Sequence, residues 1–131
     1  MKQWDHFIAT HGPEEKFFQT CHSGGAIKVR NALMASPKAV RDRIIVLAIS
    51  PGVIIPKKLC FQSFNYASKN DWVPLIDYYG AARLQGYADE LIFLDPHPDA
   101  PKFDHSFDSP TFQPRIQQHI EKYILNYGRI K

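Results

Sequence analysis

Apolar positions along the chain change their spacing several times, and each change marks an element. Trp4, Phe7 and Ile8 recur at helical spacing, which predicts a short amphipathic helix over the first ten residues, ended by Gly12-Pro13. Phe17 to His22 reads as a strand. Ala26, Val29, Ala32 and Leu33 then share one face while Lys28, Arg30 and Asn31 point away, the pattern of a helix packed on a sheet, and Pro37 marks its end. "RIIVLAIS", Arg43 to Ser50, is a continuous run rich in β-branched residues and closed by Pro51-Gly52, which predicts a strand buried on both faces. "LCFQSFNYAS", Leu59 to Ser68, and "ELIFLD", Glu90 to Asp95, predict two more strands. Between them "VPLIDYYGAARL" predicts a helix with Pro74 in its first turn. Ile116, Ile120, Tyr123, Ile124 and Tyr127 line one face of a terminal helix that opens near Pro114 and stops at Gly128.

Strands alternating with helical segments imply right-handed crossovers and an α/β fold, a small mostly parallel sheet of about four strands flanked by helices. The length of 131 residues fits one domain spanning 1–131, and 44% hydrophobic residues suffice for its core. The net charge of +3 is spread over scattered pairs such as Lys28/Arg30 and Lys57/Lys58. No basic stripe interleaved with aromatics results, so nucleic acid is not an expected partner. Cys21 and Cys60 both fall in segments read as buried strands, where cysteine serves as a small apolar residue rather than a disulfide partner. No run approaches the ~20 apolar residues of a transmembrane segment, and "MKQWDHF" is not a signal peptide. A cytoplasmic location is the default expectation.

The stretch "FFQTCHSGGAIKVRNAL", Phe17 to Leu33, runs from a strand through one serine and two glycines straight into a helix. In open parallel sheets, ligands meet the protein beyond the carboxyl ends of the strands. Ser23 follows the first strand, Asp71 the third, and His105 lies in the Pro-rich loop after the fourth. The segment Cys21-His22-Ser23-Gly24-Gly25 resembles the nucleophile elbow of the α/β-hydrolase family, with Gly25 at one small position and Cys21 replacing the usual glycine at the other. "ASKNDWVP" resembles that family's acid loop and "DHSFDSPTFQPRIQQHI" its closing segment, so the order Ser, Asp, His along the chain also matches.

The resemblance covers the C-terminal half of the usual hydrolase domain. It implies a serine esterase or lipase-like enzyme with Ser23 as nucleophile, His105 as base, Asp71 as the carboxylate orienting the imidazole, and the Gly24 amide as an oxyanion donor. It implies an ester or lipid substrate, cleaved through an acyl-serine without metal or organic cofactor; a thioesterase or peptidase would use the same residues. "CHSGGAIKVRNAL" also resembles a set of long uncharacterised chlamydial proteins, which implies no established activity.

Each residue has a plainer use. Ser23 could cap a helix, and Asp71 could cap the helix that Pro74 begins. His97, closer to the fourth strand, competes with His105 for the role of base. Asp95, His97 and Asp99 alternate like metal ligands, but prolines separate them and a solvated loop is expected. His22 fills the variable place of the elbow or contacts substrate; His6, His11 and His119 look like ordinary surface or half-buried histidines.

Only twenty-two residues precede Ser23, which leaves no room for the family's first four strands or its second oxyanion donor. Loss of such a donor costs about 10² to 10³ in rate, so turnover is expected to be weak or absent. The strand 17–22 would also lie at a sheet edge. The chain is therefore expected to be a fragment of a longer hydrolase, or to cover that edge with a partner or a second copy. The alternative function is a non-catalytic hydrolase-like module that pairs through the exposed edge.

Overall fold

A computed structural model describes residues 2–128. Helix α1 spans Lys2–Thr10, strand β1 Phe17–Ser23 and helix α2 Gly25–Ala35; a single-turn helix α3, Lys38–Arg41, leads into β2, Ile44–Pro51. Strand β3, Gln62–Ser68, is followed by the short helices α4, Leu75–Tyr79, and α5, Ala81–Gln85; strand β4, Leu91–Leu94, and helix α6, Gln113–Tyr127, complete the fold. The four strands form one parallel sheet in the order β1-β2-β3-β4. This is the α/β architecture expected from the alternation of patterns.

The sheet is covered on both faces, and period-two alternation divides its side chains. Ile44, Val46 and Ala48 of β2 pack with Trp4 of α1 and with Ala26, Val29 and Leu33 of α2. Leu47 and Ile49 point the other way, onto Tyr66 of β3 and onto Phe112 and Ile116 of α6. Ala67, Leu91, Ala82 and Tyr87 form a third cluster with Ile54. Every residue of β2 is buried, because the strand has neighbours on both edges and layers on both faces. Two long-range side-chain bonds fasten the layers: the Trp4 indole donates to Gln19 Oε1 of β1, and the Tyr123 hydroxyl of α6 donates to the Lys16 carbonyl.

Three expectations are corrected. The helix expected over "VPLIDYYGAARL" is two, broken at Gly80, whose φ of −98° and ψ of −120° are not helical. A side-chain carbon at Gly80 would lie 2.7 Å from the Ile76 carbonyl oxygen, so only glycine fits the break. Strand β3 begins at Gln62 rather than Leu59, because Lys57–Leu59 form a 3₁₀ turn; Cys60 is buried just ahead of the strand. In α6, Ile120 and Ile124 are 42% and 57% exposed, while Ile116 and His119 are buried. Phe112, Ile116, His119 and Tyr123 hold the inward stripe because the helix is phased by Phe112, fully buried at its start.

Both thiols are free and buried. Burial, with a smaller effect of the neighbouring Cys60, pushes Cys21 up to about 12. Cys60 is likewise pushed up to about 12, chiefly by burial. Among the described residues no helix is long and apolar enough to cross a membrane.

Candidate functional site

Ser23 is the last residue of β1, and α2 starts two residues later. Ser23 takes the left-handed region, with φ of 52°, which reverses the chain between strand and helix. A non-glycine residue held there costs on the order of 1 kcal/mol or more. Gly24 is the N-cap of α2, where the first amides of a helix have no intrahelical acceptor. Cys21 does not crowd this turn: a side-chain carbon at Gly25 would sit 4.0 Å from the Cys21 Cβ, an ordinary contact.

The neighbouring strand end is shaped to match. The register of β1 on β2 shifts between His22, opposite Ile49, and Ser23, opposite Pro51. Ser50 is the extra residue of this bulge, buried and itself left-handed with φ of 48°. The Gly52 amide then donates to the Ser23 carbonyl at 2.8 Å. A side-chain carbon at Gly52 would meet that same carbonyl oxygen at 3.1 Å, closer than an ordinary contact, so the oxygen would have to give by a few tenths of an ångström.

Asp71 lies just beyond β3, its carboxylate fully buried. One oxygen accepts the Val73 amide at 2.9 Å, which closes the turn ahead of α4. The other is 2.6 Å from His105 Nδ1. A carboxylate accepts and does not donate, so Nδ1 carries the proton, and the lone pair of Nε2 faces the Ser23 hydroxyl at 2.8 Å. Asp71 therefore fills its local turn role and contacts the imidazole at once. The imidazole in reach of Ser23 is that of His105. His97 is exposed, accepts the Asp99 amide through Nδ1, and lies 3.8 Å from the Asp99 carboxylate.

Several further side chains hold His105. His22 Nε2 bonds the His105 carbonyl oxygen, and the two rings lie 4.9 Å apart. Asp104 is fully buried and accepts the hydroxyls of Ser109 and Thr111, while Thr111 Oγ1 also accepts the His97 amide. This carboxylate draws the two sides of the 104–111 turn together and so sets the loop that carries the imidazole. Phe103 stacks on the His105 ring at 5.5 Å with planes 4° apart. The sequence marks His22 only as a filler or substrate contact and Gly52 only as the end of a strand, and assigns no part in the site to Asp104 or Phe103. No local signal marks them, since each acts on a residue whose position depends on the fold.

Of the other residues considered, Asp95 pairs with Lys69 at 2.6 Å in an exposed ion pair. Among the described residues no three His, Cys, Asp or Glu side chains are grouped to hold a metal ion. His119, expected as a surface or half-buried histidine, is buried; its Nε2 lies 2.6 Å from the Tyr66 hydroxyl. Burial, reinforced by Lys122 and Arg115, lowers its pKa below the usual histidine value.

No protein-family model, curated protein or solved structure matches the chain. The fold is a general α/β scaffold, four parallel strands flanked by helices.

Proposed function

We propose that this protein is a serine hydrolase that cleaves carboxylic esters through an acyl-serine at Ser23. The observation that supports the reading is the unbroken chain of two hydrogen bonds from the Ser23 hydroxyl through His105 to Asp71, 2.8 and 2.6 Å long, at the carboxyl end of a parallel sheet. In this reading the Ser23 oxygen attacks the ester carbon while its proton passes to His105 Nε2. The Gly24 amide donates to the oxyanion that forms. The intermediate then expels the alcohol, which takes the proton from His105. Water, deprotonated by the same imidazole, hydrolyses the acyl-serine and restores the hydroxyl. Asp71, buried and fixed by the Val73 amide, holds the tautomer and stabilises the imidazolium.

Labelling with a fluorophosphonate probe tests the assignment. Wild-type protein is expected to react, and Ser23→Ala and His105→Ala to lose the reaction. Absence of labelling in the wild type removes the hydrolase reading, and labelling that survives Ser23→Ala removes its nucleophile.

A second reading rests on the position of β1 as an outer strand with β2 as its one strand neighbour. In it the chain is a hydrolase-like interaction module that pairs along β1 with a second copy. Thr20 is exposed midway along that strand, and Thr20→Pro would block the pairing. Light scattering after size exclusion is expected to give a dimer that this substitution dissociates; a monomer at high concentration ends this second reading.

A further inference from the structure

The stack beside the base continues outward. Phe103, parallel to the His105 ring, is followed by Trp72, whose ring centroid lies 5.9 Å from that of Phe103 with planes 18° apart. Phe103 is 46% and Trp72 61% exposed, although both are large apolar rings. Two stacked, exposed aromatic rings thus adjoin the imidazole as a ladder. Neither residue is needed to fill the core, whose three clusters include neither of them.

The proposed chemistry decides which half of an ester would meet this ladder. The leaving oxygen must come within hydrogen-bond reach of His105 Nε2 to receive its proton, so the alcohol portion is the part brought against the imidazole. Phe103 stacks on that imidazole, so the two exposed rings adjoin the group that the alcohol portion must approach. Aromatic ring edges carry the positive end of the quadrupole and prefer the π-face of another ring. A flat aryl group can pair with the exposed Phe103 and Trp72 rings in offset-stacked or edge-to-face geometry, and an alkyl chain cannot.

We propose that Trp72 and Phe103 bind the alcohol portion of the substrate, and that the site takes esters of aromatic alcohols. The proposal builds on the serine hydrolase reading, and its test separates the two. The wild type, Trp72→Ala and Phe103→Ala are compared for kcat/KM on 2-naphthylmethyl acetate and ethyl acetate, which share an acyl group. The wild type is expected to favour the naphthylmethyl ester, and each substitution to lower the ratio about fivefold. In parallel, the product 2-naphthylmethanol is titrated while the indole N–H resonances are followed by NMR. Trp72 is expected to shift and saturate, and the buried Trp4 indole, bonded to Gln19, to stay in place as an internal reference.

Fluorophosphonate labelling reports separately on Ser23, because its fluoride leaving group has no aryl part to place on the ladder. Labelling with an ester ratio that stays within twofold in both variants overturns the ladder and leaves the hydrolase. Failed labelling with a saturable Trp72 shift that Phe103→Ala abolishes keeps the aryl-alcohol site and removes the hydrolase. Failed labelling with an unmoved Trp72 resonance overturns both.

Discussion

Asp71 serves two neighbours with two oxygens, and that division makes it the most informative residue to change. In Asp71→Asn the remaining oxygen can still accept the Val73 amide, so the turn before α4 survives. The new amide group, however, presents an N–H to His105 Nδ1, which must then accept. The proton moves to Nε2, which then no longer accepts from the Ser23 hydroxyl, and the proposed base is lost. Fluorophosphonate labelling is expected to slow on the order of 10⁴-fold, with little change in the urea midpoint. A variant that labels at the wild-type rate would detach Asp71 from the chemistry. Asp71 could be nominated from the sequence because polar residues after parallel strands face ligands. That it serves both the cap and the imidazole could not, because the second bond spans 34 positions in the chain and depends on the path of the loop.

Ser23 is held by a pair of strand ends rather than by its own turn alone. The bulge at Ser50 and the approach of Gly52 tie the end of β2 to the Ser23 carbonyl, so the elements on both sides of the reversal are fixed. In Gly52→Ala the added carbon, 3.1 Å from a backbone oxygen, would make the two strand ends give by a few tenths of an ångström. A loss of roughly 1–3 kcal/mol in stability is expected, measured by urea unfolding, together with slower labelling of Ser23. Unchanged stability and labelling would show that the strand ends separate freely. Pro51-Gly52 is readable in the sequence as the end of a strand. Its role beside Ser23 is not, because it exists only once β1 and β2 have paired in their shifted register. The break at Gly80 was missed for a related reason: the apolar pattern crosses it unchanged, and the obstacle is a close backbone approach.

The layer that α6 forms on the sheet is expected to respond to pH through His119. His119 packs on the Phe64 ring and meets the Tyr66 hydroxyl, with Arg115 over the Tyr66 ring. Burial and the two cations Lys122 and Arg115 lower its pKa, so the folded protein holds fewer protons than the unfolded chain over the histidine range. Stability then rises with pH there. Read downward, it begins to fall as pH drops through the ordinary histidine value of 6.5 and continues to fall until the folded form is protonated as well. Urea unfolding from pH 8 to pH 5 is expected to show this decline, and His119→Gln, which keeps an acceptor for Tyr66, to flatten it. An equal slope in the variant would place the dependence elsewhere.

The alternation of strand and helix patterns, the fully buried β2 and the serine at the first strand end are properties of short segments, and spacing along the chain was enough to determine them. A period of two or of 3.6 is local information. Which histidine lies beside Ser23, which face of α6 turns inward, and how Trp72, Phe103 and His105 come to stack were decided by the tertiary structure. Ser23 and His105 are 82 positions apart, and no pattern within either segment fixes the distance between their atoms. That distance follows from strand order, from the bulge at Ser50 and from the buried carboxylate of Asp104, all of which exist only in the packed sheet.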